Sequence, residues 1–345
     1  MKVYEIGDTT NGLAIHQVER PMPKPGYGQV LYKLRATGLN ARDLTLIMGR
    51  GPQPGPKNRI PLMDNAGEVA EVGPGVTRVK PGDRVVMTHY WQWLDGKWDY
   101  AMREQDFAGT MDGFLAEYAL VPADPLVKIP DSMSFEDAST LQSAGLTAWN
   151  AVVEAGRAKA GDTVLTLGTG GVSVFGLQWA KMLGARVIIT SSSDAKLERM
   201  KALGADMTVN YRTTPNWAQA VLDMTGGRGA DIVLNTVGIQ EMEQCLTACA
   251  SGARVMFIGA NPVTPDRKAS APTALTRFPN LIMKDLTIKG IVVGSRRMFE
   301  DLVKAMTANK IKPVIDRVYN FDQVREALAY MESGEKIGKI VIKVQ

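Results

Sequence analysis

The chain has 345 residues, long for one hydrophobic core and comfortable for two domains. Its 40 basic and 36 acidic residues leave a formal charge of +4, and no basic run or aromatic-studded basic helix offers a footprint for nucleic acid. No stretch of about 18 apolar residues occurs, and Met1–Ile6 lacks a signal-peptide pattern, so the sequence predicts a cytoplasmic chain without a membrane span.

The first 125 residues carry short β-branched runs at Gln29–Leu34, Gly67–Val72 and Asp83–Met87, set off by Pro-Gly pairs at 25–26, 74–75 and 81–82. That texture predicts an all-β, barrel-like unit. Tyr90–Met111 breaks it with Tyr90, Trp91, Trp93 and Trp98, and reads as a long loop. From about Phe135 the pattern changes to alternating elements. Apolar strands are expected at Thr163–Leu167, Arg186–Thr190, Ile232–Asn235 and Arg254–Ile258, with helices such as Val174–Leu183 and Ala195–Leu203 between them. Strand-helix-strand alternation implies right-handed crossovers and a parallel sheet. Asn261–Asn280 is irregular, and the tail returns to a helix at Phe321–Ser333 and a last strand at Lys339–Val344. Cys245 and Cys249, the two cysteines, are spaced for one helix face, where they read as small buried side chains. With no partner cysteines they assemble neither a disulfide framework nor a four-ligand zinc site.

The strongest motif is the strand Thr163–Leu167 running into Gly168-Thr169-Gly170-Gly171-Val172-Ser173, with an apolar-periodic helix directly behind it. Gly168 permits a tight turn, Gly170 lets the backbone approach a pyrophosphate, and the third position needs a small residue for helix-strand packing. Serine stands there in place of glycine. The free N–H groups and positive end of the helix would face the phosphates. The motif therefore predicts a bound dinucleotide.

The second strand ends in Ser191-Ser192-Ser193, followed by Asp194 and Lys196. An NAD site usually places a carboxylate at the strand end to hold the ribose 2′-OH. Here three hydroxyls and Lys196 suit a 2′-phosphate instead, and Asp194 starts the next helix, so NADPH is expected in preference to NADH. Tyr211 and Arg212 close the following strand-like segment and would flank the adenine.

With that turn in place, nearly the whole chain resembles the medium-chain dehydrogenase/reductase superfamily, and within it the zinc-independent quinone oxidoreductase-like branch. The resemblance is carried by Gly38-Leu39-Asn40-Ala41-Arg42-Asp43, Pro61–Val69, Gly145-Leu146-Thr147-Ala148-Trp149 and Ile337–Val341. It implies an α/β chain: a GroES-like β-rich catalytic domain from residues 1–144 and 293–345, and a Rossmann doubly wound parallel sheet from 145–292. It also implies cofactor contacts from Thr147, Val237, Gly238, Gly259, Ala260, Ile291 and Val293, and a homodimer paired through a sheet edge near Thr287–Val293. The zinc alcohol dehydrogenases of this superfamily hold metal with Cys, His and Cys beside a Glu. The matching positions here are Asn40, Met63 and Ser143, with Asp64 for the Glu. None offers a thiolate or imidazole, so no zinc is expected. His16 and His89, the two histidines, read as surface or loop residues.

Without a metal to polarise an oxygen, hydride goes most easily to acceptors that delocalise charge themselves, such as quinones and α,β-unsaturated carbonyls. Asn40 would then donate a hydrogen bond to the acceptor, while Asp43, Tyr90, Trp91 and Trp93 would line its pocket. Arg42 and Asp43 are adjacent and could pair. The alternatives are an alcohol dehydrogenase or aldehyde reductase, an enoyl-thioester reductase, and a non-enzymatic NADPH-binding structural or nucleic-acid-associating protein.

Overall fold

In the computed structural model, which describes residues 1–8, 13–50, 56–259 and 279–344, the chain opens with an antiparallel pair, β1 (Lys2–Ile6) and β2 (Ile15–Glu19). The next strand, β3 (Gln29–Gly38), leads into a short helix, α1 (Ala41–Ile47). Then come β4 (Ala66–Val72), β5 (Arg84–Met87), β6 (Tyr118–Pro122), β7 (Leu126–Lys128) and α2 (Phe135–Ala138). α3 (Leu146–Trp149) follows.

The second stretch alternates as expected: β8 (Thr163–Thr166), α4 (Gly171–Met182), β9 (Arg186–Ser191), α5 (Asp194–Ala202), β10 (Met207–Asn210), α6 (Trp217–Met224), β11 (Ala230–Asn235), α7 (Met242–Ala248) and β12 (Cys249–Phe257). After the undescribed residues come α8 (Pro279–Met283) and β13 (Thr287–Gly290), and the tail adds α9 (Arg296–Ala308), β14 (Ile315–Asn320), α10 (Val324–Glu332) and β15 (Lys339–Lys343). Two compact units result, Met1–Leu146 with Val293–Gln345, and Thr147–Val292.

In the first unit the sheet order is β14-β15-β3-β4-β5-β7, with β6 also paired to β3. Its apolar interior gathers Val30, Tyr32, Leu34, Val69, Val85 and Val121 from the strands and Phe114 from the loop before β6. β15, from the far end of the chain, lies antiparallel to β3, with Val341 opposite Gly38. That pairing carries Lys339 to the segment that follows β3.

In the second unit six parallel strands run in the order β10-β9-β8-β11-β12-β13. Numbered within the unit this is 3-2-1-4-5-6, the doubly wound dinucleotide-binding order, whose strand sequence reverses between β8 and β11. α4 buries Val174, Phe175, Leu177 and Trp179, and the Trp179 ring lies 5.5 Å from Phe175 and 5.8 Å from Trp149. Each large apolar side chain so buried contributes roughly 1.5–3 kcal/mol. The start of α4, and with it the turn in front, is therefore fixed from behind.

One expectation changes here. α7 stops at Ala248, so Cys249 opens β12 and the two cysteines do not share a helix. The Cys249 thiol still reaches back to the Cys245 carbonyl, at 3.1 Å. Both thiols are buried and free, and burial pushes their pKa values up, that of Cys249 to about 12.

Candidate functional site

The glycine turn of the second unit is built by backbone. Gly168 has φ +78°, a conformation glycine adopts without strain, and its N–H donates to Thr190 Oγ1 at the end of β9, at 3.2 Å. A Cβ placed on Gly168 or Gly170 would meet no atom within 4 Å. The concave side is thus open where a pyrophosphate would approach, and Gly170 caps a twelve-residue helix whose first N–H groups point to it. Leu167 O accepts two hydroxyls, from Ser173 at 2.7 Å and Thr236 at 2.6 Å, which tie the turn after β8 to the one after β11. Serine at the third motif position thus earns its place as a buried hydrogen-bonding brace. The close helix-strand contact falls instead at Gly176, one turn on, where a Cβ would lie 2.7 Å from Leu234. Sequence reading missed it, although its spacing from Ser173 was the available signal. Thr169 is nearly buried, and Gly171 and Val172 form the first turn of α4.

Beyond the turn, a cavity of about 180 Å³ is lined by Leu167, Gly168, Thr190, Tyr211, Val237 and Glu241, among others. Tyr211 follows β10 as expected, its N–H on Ser191 O at 3.0 Å. Ser191 is buried, Ser193 caps α5 through the Lys196 N–H, and Ser192 and Lys196 are half-buried. Asp194 opens α5 and accepts from Asn210 Nδ2 at 2.7 Å. Val237 and Gly238 both donate to Asn235 Oδ1, at 3.1 and 2.9 Å. Gly238 has φ +136°, and a Cβ on Gly259 would strike Thr236 O at 2.3 Å, so each glycine is demanded by its own backbone. Ile291 N–H extends the β12 register onto Phe257 O, and Thr147 is buried in α3. Ala260 and nearly all of the 261–280 stretch lie outside the described residues.

The first unit holds a different kind of site. Asn40 caps α1, and its N–H donates to Asp43 at 2.8 Å. The Lys339 ammonium spends its three N–H bonds on Leu39 O (2.7 Å), Asn40 Oδ1 (2.7 Å) and Asp64 Oδ2 (2.8 Å). Both Lys339 and Asp64 are buried. An ammonium only donates, so it selects the oxygen of the Asn40 amide and turns Nδ2 the other way. That Nδ2 is buried and has no partner. Asp64 Oδ1 accepts the Ser143 N–H at 3.0 Å, and Gly38 is required because a Cβ there would sit 2.7 Å from Asp64 Oδ2. Leu62, two residues ahead, takes φ +67° while its carbonyl accepts Phe114 N–H at 2.7 Å. Such a conformation costs a non-glycine residue on the order of 1 kcal/mol or more and persists where the surroundings enforce it.

Asp43 is completely buried, with Oδ1 unpartnered. Burial pushes its carboxyl up to about 7, the Asp64 charge adds to that, and the Asn40 N–H, Lys339 and Arg42 oppose it. The expected Arg42–Asp43 pair does not form. Adjacent helical residues point about 100° apart, and Arg42 instead grips Asp106 through Nη1 and Nη2, with Nη1 also 3.2 Å from His89 Nε2. His89 lies in the loop after β5, one of the two places expected for it, but not at the surface: it is 2% exposed, with Nε2 on Asp106 Oδ1 at 2.8 Å. Nothing in the sequence pairs residues 42, 89 and 106, so this cluster was invisible to motif reading.

The aromatic loop continues from His89. The Tyr90 ring lies against it, tilted, at 4.2 Å, Trp98 follows at 4.6 Å from Tyr90, and Trp93 at 5.1 Å from Trp98. Burial, then the Asp106 charge, raises the Tyr90 hydroxyl to about 12. Trp93 is buried with its indole N–H on Gly96 O, while Trp91 packs against the barrel interior with a buried, unpartnered Nε1. The loop thus serves first as packing, and Tyr90 is its member next to the polar cluster.

The donor chemistry at the three matched metal positions is an amide, a thioether and a hydroxyl. Beside them the Lys339 ammonium already neutralises Asp64. These residues do not fit a zinc ion, and among the described residues no group of three His, Cys, Asp or Glu side chains is placed to hold a metal. The glycine turn, by contrast, fits a dinucleotide.

A GroES-like β unit joined to a 3-2-1-4-5-6 parallel unit with this turn defines a nicotinamide-dependent dehydrogenase or reductase. Residues 26–131 match the alcohol dehydrogenase GroES-like domain and residues 171–308 the zinc-binding dehydrogenase family. The chain belongs to the medium-chain dehydrogenase/reductase superfamily and is an NAD(P)-dependent oxidoreductase. It is 40% identical to a zinc-type alcohol dehydrogenase-like protein of Schizosaccharomyces pombe, across 99% of both chains. The structure of an NAD-dependent alcohol dehydrogenase superposes with a TM-score of 0.87 at 32% identity, covering all of both chains. A mycobacterial protein complexed with NADPH superposes at 0.81 with 27% identity, again over both full lengths. No helix among the described residues is long and apolar enough to cross a membrane.

Proposed function

We propose that the chain is a zinc-independent NADPH-dependent reductase of quinones or α,β-unsaturated carbonyls. The observation that carries this is the Asn40 amide: its oxygen is held by Lys339 and its buried Nδ2 is unpartnered. A buried donor left unmade costs about 1–3 kcal/mol, and a substrate oxygen would recover it. Gly168, Gly170 and the N–H groups opening α4 hold the pyrophosphate, and Tyr211 flanks the adenine. Ser192 and Lys196 favour a 2′-phosphate, as does the NADPH in the mycobacterial relative. When bound, the dinucleotide supplies the hydride. The chain's part is to fix the acceptor oxygen with a pre-aligned donor that needs no reorganisation as charge develops.

Asn40→Ala should lower kcat/KM by roughly 10²–10³, as loss of one such donor does elsewhere, while NADPH affinity stays within about twofold. An unaltered rate sinks the role of Asn40. The second reading is alcohol or aldehyde chemistry, favoured by the names its relatives carry. Side-by-side rates with quinones, enones and aldehydes separate the two. The reading also includes a cytoplasmic homodimer. Both thiols are free, and the four residues of the edge strand β13 are exposed and able to pair with a second copy. Sedimentation of the purified protein tests that pairing.

A further inference from the structure

Reduction of a carbonyl-type acceptor consumes a proton as well as a hydride, and no residue given a role in the proposed function supplies that proton. The first unit contains one built for that exchange. His89 is almost wholly buried, and its Nε2 lies 2.8 Å from Asp106 Oδ1 and 3.2 Å from an Arg42 guanidinium nitrogen. The carboxylate only accepts and the guanidinium only donates. The shorter contact is to the carboxylate, so Nε2 carries the hydrogen and gives it to Asp106. Arg42 holds that same carboxylate from the other side, which fixes the ring. The remaining nitrogen, Nδ1, is buried and has no partner.

Position matters as much as protonation. Arg42 lies in the first turn of α1, the helix that Asn40 caps. The two segments Arg42 ties together carry unpartnered buried polar atoms: Asn40 Nδ2 and Asp43 Oδ1 on one, and Thr88 Oγ1, His89 Nδ1 and Trp91 Nε1 on the other. Packed interiors rarely leave such atoms unmatched, and the Arg42–His89 contact links the segment that carries His89 to the helix that Asn40 caps.

We propose that His89, aligned by Asp106 and Arg42, is the proton-exchanging group of the reaction. The inference rests on the reading of the acceptor given above. In reduction, the acceptor carbon gains a hydride from the reduced dinucleotide and an electron pair moves onto its oxygen. The Nδ1–H bond of the imidazolium breaks, an O–H bond forms, and the electron pair stays on Nδ1; a solvent proton restores the imidazolium. In the reverse direction the neutral ring takes the hydroxyl proton at the same atom.

The groups that face His89 set the pH range. Burial lowers its pKa, Asp106 opposes that by hydrogen bond and charge, Arg42 adds to the lowering, Asp64 raises it, and the neutral Tyr90 ring lies tilted against it. Reduction needs the protonated ring, so its rate falls as pH rises through a midpoint below the ordinary histidine value, and oxidation rises over the same range.

The chain has two histidines, which makes the test direct. Histidine ¹⁵N resonances, assigned with His16→Gln, are followed against pH and on adding cyclohexenone with NADP⁺, a pair that cannot turn over. The expected result is an Nε2–H tautomer for His89, a titration midpoint below the ordinary histidine value, and movement of the Nδ1 signal with the pair. An Nδ1–H tautomer, or an Nδ1 that ignores the pair, overturns the proposal. In kinetics His89→Gln should lower kcat by roughly 10²–10⁴, erase the pH limb and leave NADPH affinity within about twofold. Retention of kcat and of the limb counts against it. If the parent enzyme ignores enones and quinones yet reduces an aldehyde, the acceptor reading fails alone, and the same His89→Gln comparison on the aldehyde decides the histidine.

Discussion

The glycine turn and the polar cluster around Asn40 solve the problem of binding in opposite ways. The turn in the second unit is made of backbone and of open space: two glycines with no neighbour where a Cβ would be, and a helix end facing the gap. The cluster in the first unit is made of buried side chains, with the Lys339 ammonium on the Asp64 carboxylate and the Asn40 amide, and Asp43 on the Asn40 N–H. A hollow is robust to its surroundings and sensitive only to being filled. A buried charge cluster is sensitive to every member, because each removed partner leaves another uncompensated.

The comparison breaks most sharply at Lys339. Lys339→Met leaves the Asp64 carboxylate buried without its partner, a loss of about 3–5 kcal/mol, read as a shift in the denaturant midpoint. Adding Asp64→Asn should return part of that loss. Asp43 gives the next effect, and its sign depends on pH. Its carboxyl holds a proton up to about 7 in the folded chain and only to ~3.9 unfolded. Ionised Asp43 therefore costs stability above about pH 7, and the cost fades as pH falls towards about 4. Asp43→Asn should exceed the parent by about 1–4 kcal/mol at about pH 8 and match it near pH 4; equal stability across the range would contradict the raised value.

On the other side, Gly170→Val should leave the unfolding midpoint within about 0.5 kcal/mol. It should weaken NADPH binding at least tenfold, or about 1.4 kcal/mol, as measured by calorimetry. A fall in stability equal to the fall in affinity would mean the turn is not hollow. The smallest effect is expected at Lys196→Ala, which should reduce the preference for NADPH over NADH by several-fold, on the order of 1 kcal/mol, and leave NADH binding unchanged.

The same contrast explains what the sequence revealed. The turn is local: strand, glycines and helix are contiguous, so Gly168, Gly170 and the following period could be read directly, as could Tyr211 after its strand. Gly176 escaped because close packing against Leu234 depends on the partner strand. In the first unit Asn40 and Asp43 share a motif, so their closeness was legible. Lys339 was not, because it reaches Asn40 from 299 residues away through the β15–β3 pairing. The Arg42–Asp106–His89 contacts likewise depend on how the aromatic loop folds back, and no periodicity encodes that. The adjacent residues Arg42 and Asp43 invited a pairing that helix geometry forbids.

The central claim is hydride transfer to a charge-delocalising acceptor, without zinc, on an amide that Lys339 aligns. The most direct test is NADPH consumption with quinones and enones by protein of measured zinc content, before and after chelator treatment. The account predicts turnover that is independent of zinc content and unchanged by chelator. Activity that rises in proportion to bound zinc and vanishes with chelation would contradict it.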